Sequence, residues 1–191
     1  MKLIPLYQMI LCCSLIFCLQ QTKAQRPSNV AVLKEHTAEQ DLPVNEYLVS
    51  AIKPIKANYN KLNSIAKWQK VKRIDLDFSS EGGEAKFYYL KNGLQKMVVR
   101  QFAEMSQKLS EYYLMQGKLS FVYETEMRYK STLETKDAEV VSDRFYFAKG
   151  KLFHLINSED CGAPFSSDYM KGEEERIFEE YNQLRKLSLE K

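Results

Sequence analysis

Residues 111–124 read EYYLMQGKLSFVYE: an aromatic pair, a glycine four positions past its second member, and an alternating apolar run after the glycine. The same arrangement recurs as KFYYLKNGLQKMVV over residues 86–99 and as RFYFAKGKLFHLI over residues 144–156. Aligned on Gly93, Gly117 and Gly150, the copies place Tyr88, Tyr112 and Phe145 five residues before the glycine and Tyr89, Tyr113 and Tyr146 four before it. The glycines are 24 and then 33 residues apart, and the extra length falls in the polar stretch KSTLETKDAEV, residues 130–140. A glycine-bearing dipeptide between two alternating apolar runs is the sequence form of a two-residue β-hairpin turn, because such turns need backbone conformations that glycine adopts freely. NG, QG and KG fill that place here, and Asn92-Gly93 is the strongest of the three signals.

If each dipeptide is the turn, the register follows. Leu90 then opposes Gln95 and Tyr88 opposes Met97; Leu114 opposes Leu119 and Tyr112 opposes Phe121; Phe147 opposes Leu152 and Phe145 opposes His154. That face is almost wholly apolar and is expected to lie under helices. The other face pairs Tyr89 with Lys96, Tyr113 with Ser120 and Tyr146 with Phe153, with Glu111 opposite Val122 and Arg144 opposite Leu155. Its mixed character predicts a face turned to solvent or to a partner.

Outward from the hairpins the alternation continues. Strands are expected over about 70–78, 84–91, 94–104, 108–115, 118–129, 142–148 and 151–157, with SSEGGE at 79–84 as a turn and 130–140 as the one long loop. Before the strands, Leu48, Ile52, Ile55, Tyr59, Leu62 and Ile65 recur at helical spacing behind Asn45, a residue suited to an N-cap, so a helix is expected over 45–66. Pro54 interrupts it, predicting a kink or a break; the stripe keeps its phase across the proline, which favours the kink. After the strands, Met170, Ile177, Tyr181 and Leu184 mark a second helix over 167–188, with Ser166, Ser167 or Asp168 as caps, acidic residues in its first half and Arg185 and Lys186 near its end. The fold class predicted is α+β: an antiparallel meander of about seven strands, with the N-terminal kinked helix and the C-terminal helix packed on one face.

The segment 1–24 reads as a secretory signal, with Lys2, the apolar run MILCCSLIFCL from Met9, and TKA before Gln25 as a cleavage site. The run is too short for an ordinary membrane-spanning helix, which needs about 20 residues. The expectation is therefore export, to the periplasm or beyond, with no integral membrane segment after cleavage. None of Cys12, Cys13 and Cys18 has the small preceding residue of a lipoprotein signal, which argues against a lipid anchor. Only Cys161 remains in the mature chain, which excludes an intramolecular disulfide. Residues 25–43 mix charge and proline without periodicity and read as a flexible arm, leaving 44–191 as one domain.

The repeated unit, YYLKNGLQ, YYLMQGKL and FYFAKGKL, resembles the aromatic-aromatic-x-x-x-Gly-x-Leu hairpin of MORN-type repeat proteins, which stack such hairpins into a meandering sheet. The stretch from Glu81 to Ile156 also resembles a group of small exported bacterial proteins of unassigned function; where that group carries GEMG, this chain has AEMS at 103–106, which alters that turn. The resemblance implies a scaffold or interaction module rather than one chemistry.

Removing Lys2 and Lys23 with the signal lowers the formal net charge from +3 to +1, which gives no reason to expect nucleic acid. KVKR at 70–73 reads as a solvated strand end. Cys161 with His154 and Asp160 is the one set that hints at a nucleophilic thiol, but the register turns His154 towards the core. With His36 the only other histidine, a zinc site is not supported. Asp75, Asp77, Glu81 and Glu84 surround the first hairpin without calcium-loop spacing and read as solvated. No phosphate-binding glycine loop or dinucleotide fingerprint occurs, so no cofactor is expected. The better candidate is the stripe Tyr89, Tyr113 and Tyr146, flanked by Lys96 and Phe153, as a surface for a protein or glycan partner. The reading is of a non-enzymatic binding or scaffold protein; a small thiol-dependent hydrolase using Cys161 and a purely structural envelope component are the alternatives.

Overall fold

The computed structural model describes residues 32–35, 48–77, 81–131, 137–159 and 164–190. Helix α1 (Val49–Asn63) precedes seven strands, β1 (Lys70–Leu76), β2 (Gly83–Leu90), β3 (Gly93–Ala103), β4 (Ser106–Met115), β5 (Lys118–Arg128), β6 (Glu139–Ala148) and β7 (Lys151–Asn157), and helix α2 (Ser167–Leu189) follows. The strands form one antiparallel sheet in the order of the sequence. The expected meander with a helix at each end is therefore the fold. The signal segment, most of the arm, Asn45 and the stretch Asp160 to Ala163 lie outside the described residues.

The hairpins differ from expectation in a way that decides the architecture. Gln116 and Gly117, at φ 54 and 76, and Lys149 and Gly150, at φ 53 and 77, are two-residue turns with both central residues left-handed, as predicted. In the first hairpin the turn falls one residue earlier, since Leu90 pairs with Gly93 across Lys91 and Asn92. All three hairpins then carry a bulge. The pairing runs from Tyr88 with Lys96 to Tyr89 with Leu94, from Tyr113 with Phe121 to Leu114 with Leu119, and from Tyr146 with His154 to Phe147 with Leu152. Gln95, Ser120 and Phe153 are thus left without a cross-strand partner. Two of them repair the ladder themselves: the Ser120 hydroxyl donates to the Tyr113 carbonyl at 3.0 Å, and Gln95 Nε2 donates to the Leu94 carbonyl at 3.0 Å.

Beyond each bulge every side chain changes its opposite number. Met97 faces Phe87 rather than Tyr88, Phe121 faces Tyr113 rather than Tyr112, and His154 faces Tyr146 rather than Phe145. Moving Phe121 beside Tyr113 makes both faces of the sheet apolar, so both require cover. The two helices consequently do not share one face as expected from the unbulged register. Phe87, Met97, Tyr112, Val122, Phe145 and Phe147 pack with Ile177 and Leu184 of α2. Tyr113, Phe121, Tyr123 and Tyr146 pack with Ile52, Ile55, Tyr59 and Leu62 of α1 on the opposite side.

The lengths of the helices fit these tasks. At 23 residues α2 is about 35 Å long, enough to cross the roughly 29 Å occupied by seven strands. It does so: Phe178 packs on Phe147 of β6 at 5.3 Å, Glu180 meets Tyr112 of β4, and Lys72 of β1 donates to the Leu187 carbonyl at 2.8 Å. Ser166 caps its start, accepting from the Tyr169 amide at 3.2 Å. The 15-residue α1 is too short to cross and lies over β4, β5 and β6. Pro54 sits within it, and the carbonyl it leaves without a donor belongs to exposed Ser50 in the first turn, where water can serve. The rest of that face is met by residues 32–35 of the arm. Leu33 is buried against Val98 and Leu109, its amide donates to Gln107 Oε1 at 3.2 Å, and its carbonyl accepts from Arg100 at 2.6 Å.

Candidate functional site

The tyrosine stripe is not a surface. Tyr113 and Tyr146 are buried under α1, where Tyr59 packs on Tyr113 at 4.9 Å and Phe121 packs on Tyr146 at 4.9 Å. Tyr89 lies on the opposite face against α2 and donates its hydroxyl to the Ser188 carbonyl at 3.0 Å. Phe153, in its bulge, is half-buried 6.5 Å from Tyr146. The five candidate residues therefore divide between two interiors. The physical reason is the bulge, which gave the expected wet face a second row of aromatic side chains and so a helix of its own.

Lys96 is fully buried with them. Its Nζ is 2.9 Å from Glu111 Oε2, each side chain being 1% exposed, and the ammonium stands 5.0 Å from the ring of Tyr113 and 5.7 Å from that of Tyr88. Tyr113 donates its hydroxyl to Glu111. Asn63, in the last turn of α1, accepts from Lys96 at 3.3 Å and lies 3.1 Å from the Tyr113 hydroxyl through the same Oδ1. Burial holds the Lys96 ammonium below the ordinary lysine range, with the Glu111 carboxylate opposing it, and burial with the same carboxylate pushes the Tyr113 phenol up. A neighbouring pair ties down the arm: Glu35 accepts from Lys86 at 2.8 Å and from the Tyr88 hydroxyl at 2.7 Å. Burial works to raise the Glu35 carboxyl, but these two donors hold it below its ordinary value.

The α2 face has its own charged knot. Glu124, 4% exposed, accepts from Arg176 in a two-pronged contact at 2.9 and 3.3 Å, from the Ser110 hydroxyl at 3.1 Å, and is 2.9 Å from Lys108. Arg176 also binds Glu173 at 2.7 Å and Glu180 at 3.2 Å. Burial works to raise the Glu124 carboxyl, yet Lys108 and Arg176 keep it below its ordinary value. A small cleft of about 120 Å³ beside it is lined by Ser110, Tyr112 and Glu180, and the Tyr112 hydroxyl there already donates to Glu180 at 2.7 Å. These groups are satisfied by one another and serve the packing.

Of the remaining sequence candidates, Cys161 and Asp160 lie outside the described residues. His154 stands beside Tyr146, ring centroids 5.5 Å apart, on the α1 face rather than opposite Phe145; burial lowers its pKa, and its Nε2 has no hydrogen-bond partner. Asp75, Asp77 and Glu81 are exposed, and Glu84 is 3.3 Å from Lys86. Among the described residues no group of three or more histidine, cysteine or acidic side chains is placed to hold a metal ion. Among them, too, no helix is long and apolar enough to cross a membrane.

What sequence reasoning missed is an open trough of about 630 Å³ between the α1 to β1 connection and the tip of the first hairpin, lined by Lys67, Trp68, Gln69, Leu90, Lys91 and Asn92. Trp68 is half-buried, packed at 5.1 Å and a tilt of 55° on Tyr88, and lines the trough beside Leu90. Lys67, Gln69, Lys91 and Asn92 are exposed around it. Neither lysine has an ion-pair partner among the described residues, in contrast to Lys86, Lys96 and Lys108. The available signal was the single tryptophan of the chain, flanked by a lysine and a glutamine at the point where the helical period ends.

Comparison with family models, with curated proteins and with solved structures returns no match for this chain.

Proposed function

We propose that the protein is an exported, non-enzymatic binding module whose contact region is the trough at the tip of the first hairpin, and not a face of the sheet. The observation that carries this reading is the lining of the trough, where a half-buried tryptophan and Leu90 lie beside two exposed lysines. Lys96 and Lys108 are held in ion pairs with Glu111 and Glu124, whereas Lys67 and Lys91 have no ion-pair partner among the described residues and line the trough together with Trp68. An apolar floor with a few polar and charged groups at its rim is the composition of a binding site rather than of an ordinary solvated surface. The MORN-like hairpin repeat supports a scaffold role: it holds that tip rigid through the sheet while leaving it at the border of the domain. Export is supported by the signal-like segment 1–24.

Complementation tests it. In a deletion strain, Lys67→Glu with Lys91→Glu is expected to fail at wild-type abundance in the exported fraction, while Cys161→Ala and His154→Gln restore the phenotype. The reverse pattern would assign the function to the thiol-dependent enzyme reading, and full rescue by every variant would assign it to a structural envelope role.

A further inference from the structure

The chemistry of the trough narrows its ligand, and this step rests on the binding-module reading above. The geometry points to an acidic saccharide: a sugar ring seated on Trp68 and Leu90, with its carboxylate held between Lys67 and Lys91. Three features carry the inference. First, the floor is formed by Trp68, held in place by its packing on Tyr88, and one aliphatic side chain, an apolar area of the kind that packs on the C–H face of a pyranose ring. Second, Gln69 and Asn92 place two exposed amides at the rim, and each amide offers both donors and an acceptor, as the hydroxyl edge of a sugar requires. Third, the only formal charges lining the trough are Lys67 and Lys91, both positive and both without ion-pair partners among the described residues. A ligand that neutralises them must be anionic, and an ammonium on a flexible stem suits a single carboxylate well.

An acidic peptide shares the charge but fits the shape less well. Peptides that add to a sheet need a run of free edge backbone. The trough touches the edge strand β1 only through Gln69, immediately before Lys70, and is otherwise bounded by a turn and a connection.

Trp68 is the single tryptophan of the chain, so its fluorescence reports on this site alone. The purified protein would be titrated with tetragalacturonic acid, with neutral maltotetraose, and with a hexaglutamate peptide, at low and at high salt. Saturable change with the uronide, weakened by salt and absent with maltotetraose, is expected. Lys67→Gln with Lys91→Gln should weaken the uronide roughly tenfold, two exposed charge contacts being lost, with the unliganded spectrum and melting temperature unchanged. Trp68→Phe, followed by calorimetry, should weaken it while retaining the fold. Equal response to maltotetraose overturns the acidic requirement. Saturation by hexaglutamate without the uronide overturns the saccharide and leaves the binding-module reading standing. Silence with all three probes overturns the saccharide inference, while the complementation result separately decides the module.

Discussion

The buried pair of Lys96 and Glu111 offers the sharpest test of how this sheet is held. Both side chains are 1% exposed. Lys96→Met keeps the length of the stem and deletes the charge, leaving the Glu111 carboxylate under α1 with the Tyr113 hydroxyl as its donor. Removing one partner of a buried pair costs about 3–5 kcal/mol. Because that hydroxyl remains, the lower end, about 3 kcal/mol, is expected here. For a domain of this size such a loss lowers the melting temperature by roughly 6–12 °C. The double variant Lys96→Met with Glu111→Leu removes both charges, and Tyr113 can then donate to Asn63 Oδ1, 3.1 Å away. Replacing both members of a buried pair by apolar groups is close to neutral, so the double variant should lie within about 1 kcal/mol of wild type. Urea unfolding at pH 7, followed by circular dichroism and by Trp68 fluorescence, gives both numbers. A single variant costing under about 1 kcal/mol, or a double variant as unstable as the sum of its parts, would refute the claim that these charges depend on each other.

Further outcomes follow from other contacts. The Glu124 carboxyl lies below its ordinary value of 4.5 in the folded chain, so between the two values the unfolded chain binds more protons. Its contribution to stability is thus complete above about pH 4.5 and lost as pH falls through the folded value, and Glu124→Gln should flatten the acid limb of a stability against pH curve. Burial lowers His154 below its ordinary 6.5, so stability from this group rises with pH up to about that value, and His154→Phe should remove that slope in melts between pH 5 and 7. A Cβ on Gly83 would stand 2.4 Å from the Arg100 carbonyl oxygen, so Gly83→Ala must push two strands apart and is expected to cost roughly 2 kcal/mol in urea unfolding. Lys149 holds φ 53 in its turn, and Lys149→Gly should relieve that strain and leave the melting temperature equal or slightly raised.

Much of the fold was legible because alternation and helical spacing are local. The stripe Ile52, Ile55, Tyr59 and Leu62 and the strands from 70 to 157 follow from which residues repeat at which period, and the structure buries those same residues. The faces were not legible to the same depth. A single unpaired residue in each hairpin flips the pairing beyond it, and nothing in the composition of Gln95, Ser120 or Phe153 announces that the ladder will skip them. The polar side chains of Gln95 and Ser120, which bond back to the backbone, are a consequence visible only once the bulge is in place.

That displacement by one residue also moves the functional question. In an unbulged meander one face would carry the helices and the other would be free to meet a partner, and Tyr113 and Tyr146 would be its anchors. With the bulges, Phe121 joins Tyr113, and Tyr146 gains Phe121 as its neighbour, so the second face becomes a core that α1 and Leu33 must cover. α1 ends at Asn63, short of the outer strands, and the chain must then turn back to begin β1 at Lys70. The connection that makes this return carries Trp68 across Tyr88 and leaves a concavity against the first hairpin tip. The trough thus lies between the residues that follow α1 and the tip of the first hairpin. The contact region proposed above therefore lies at the connection and the hairpin tip, whereas the aromatic repeat is taken up in the two cores.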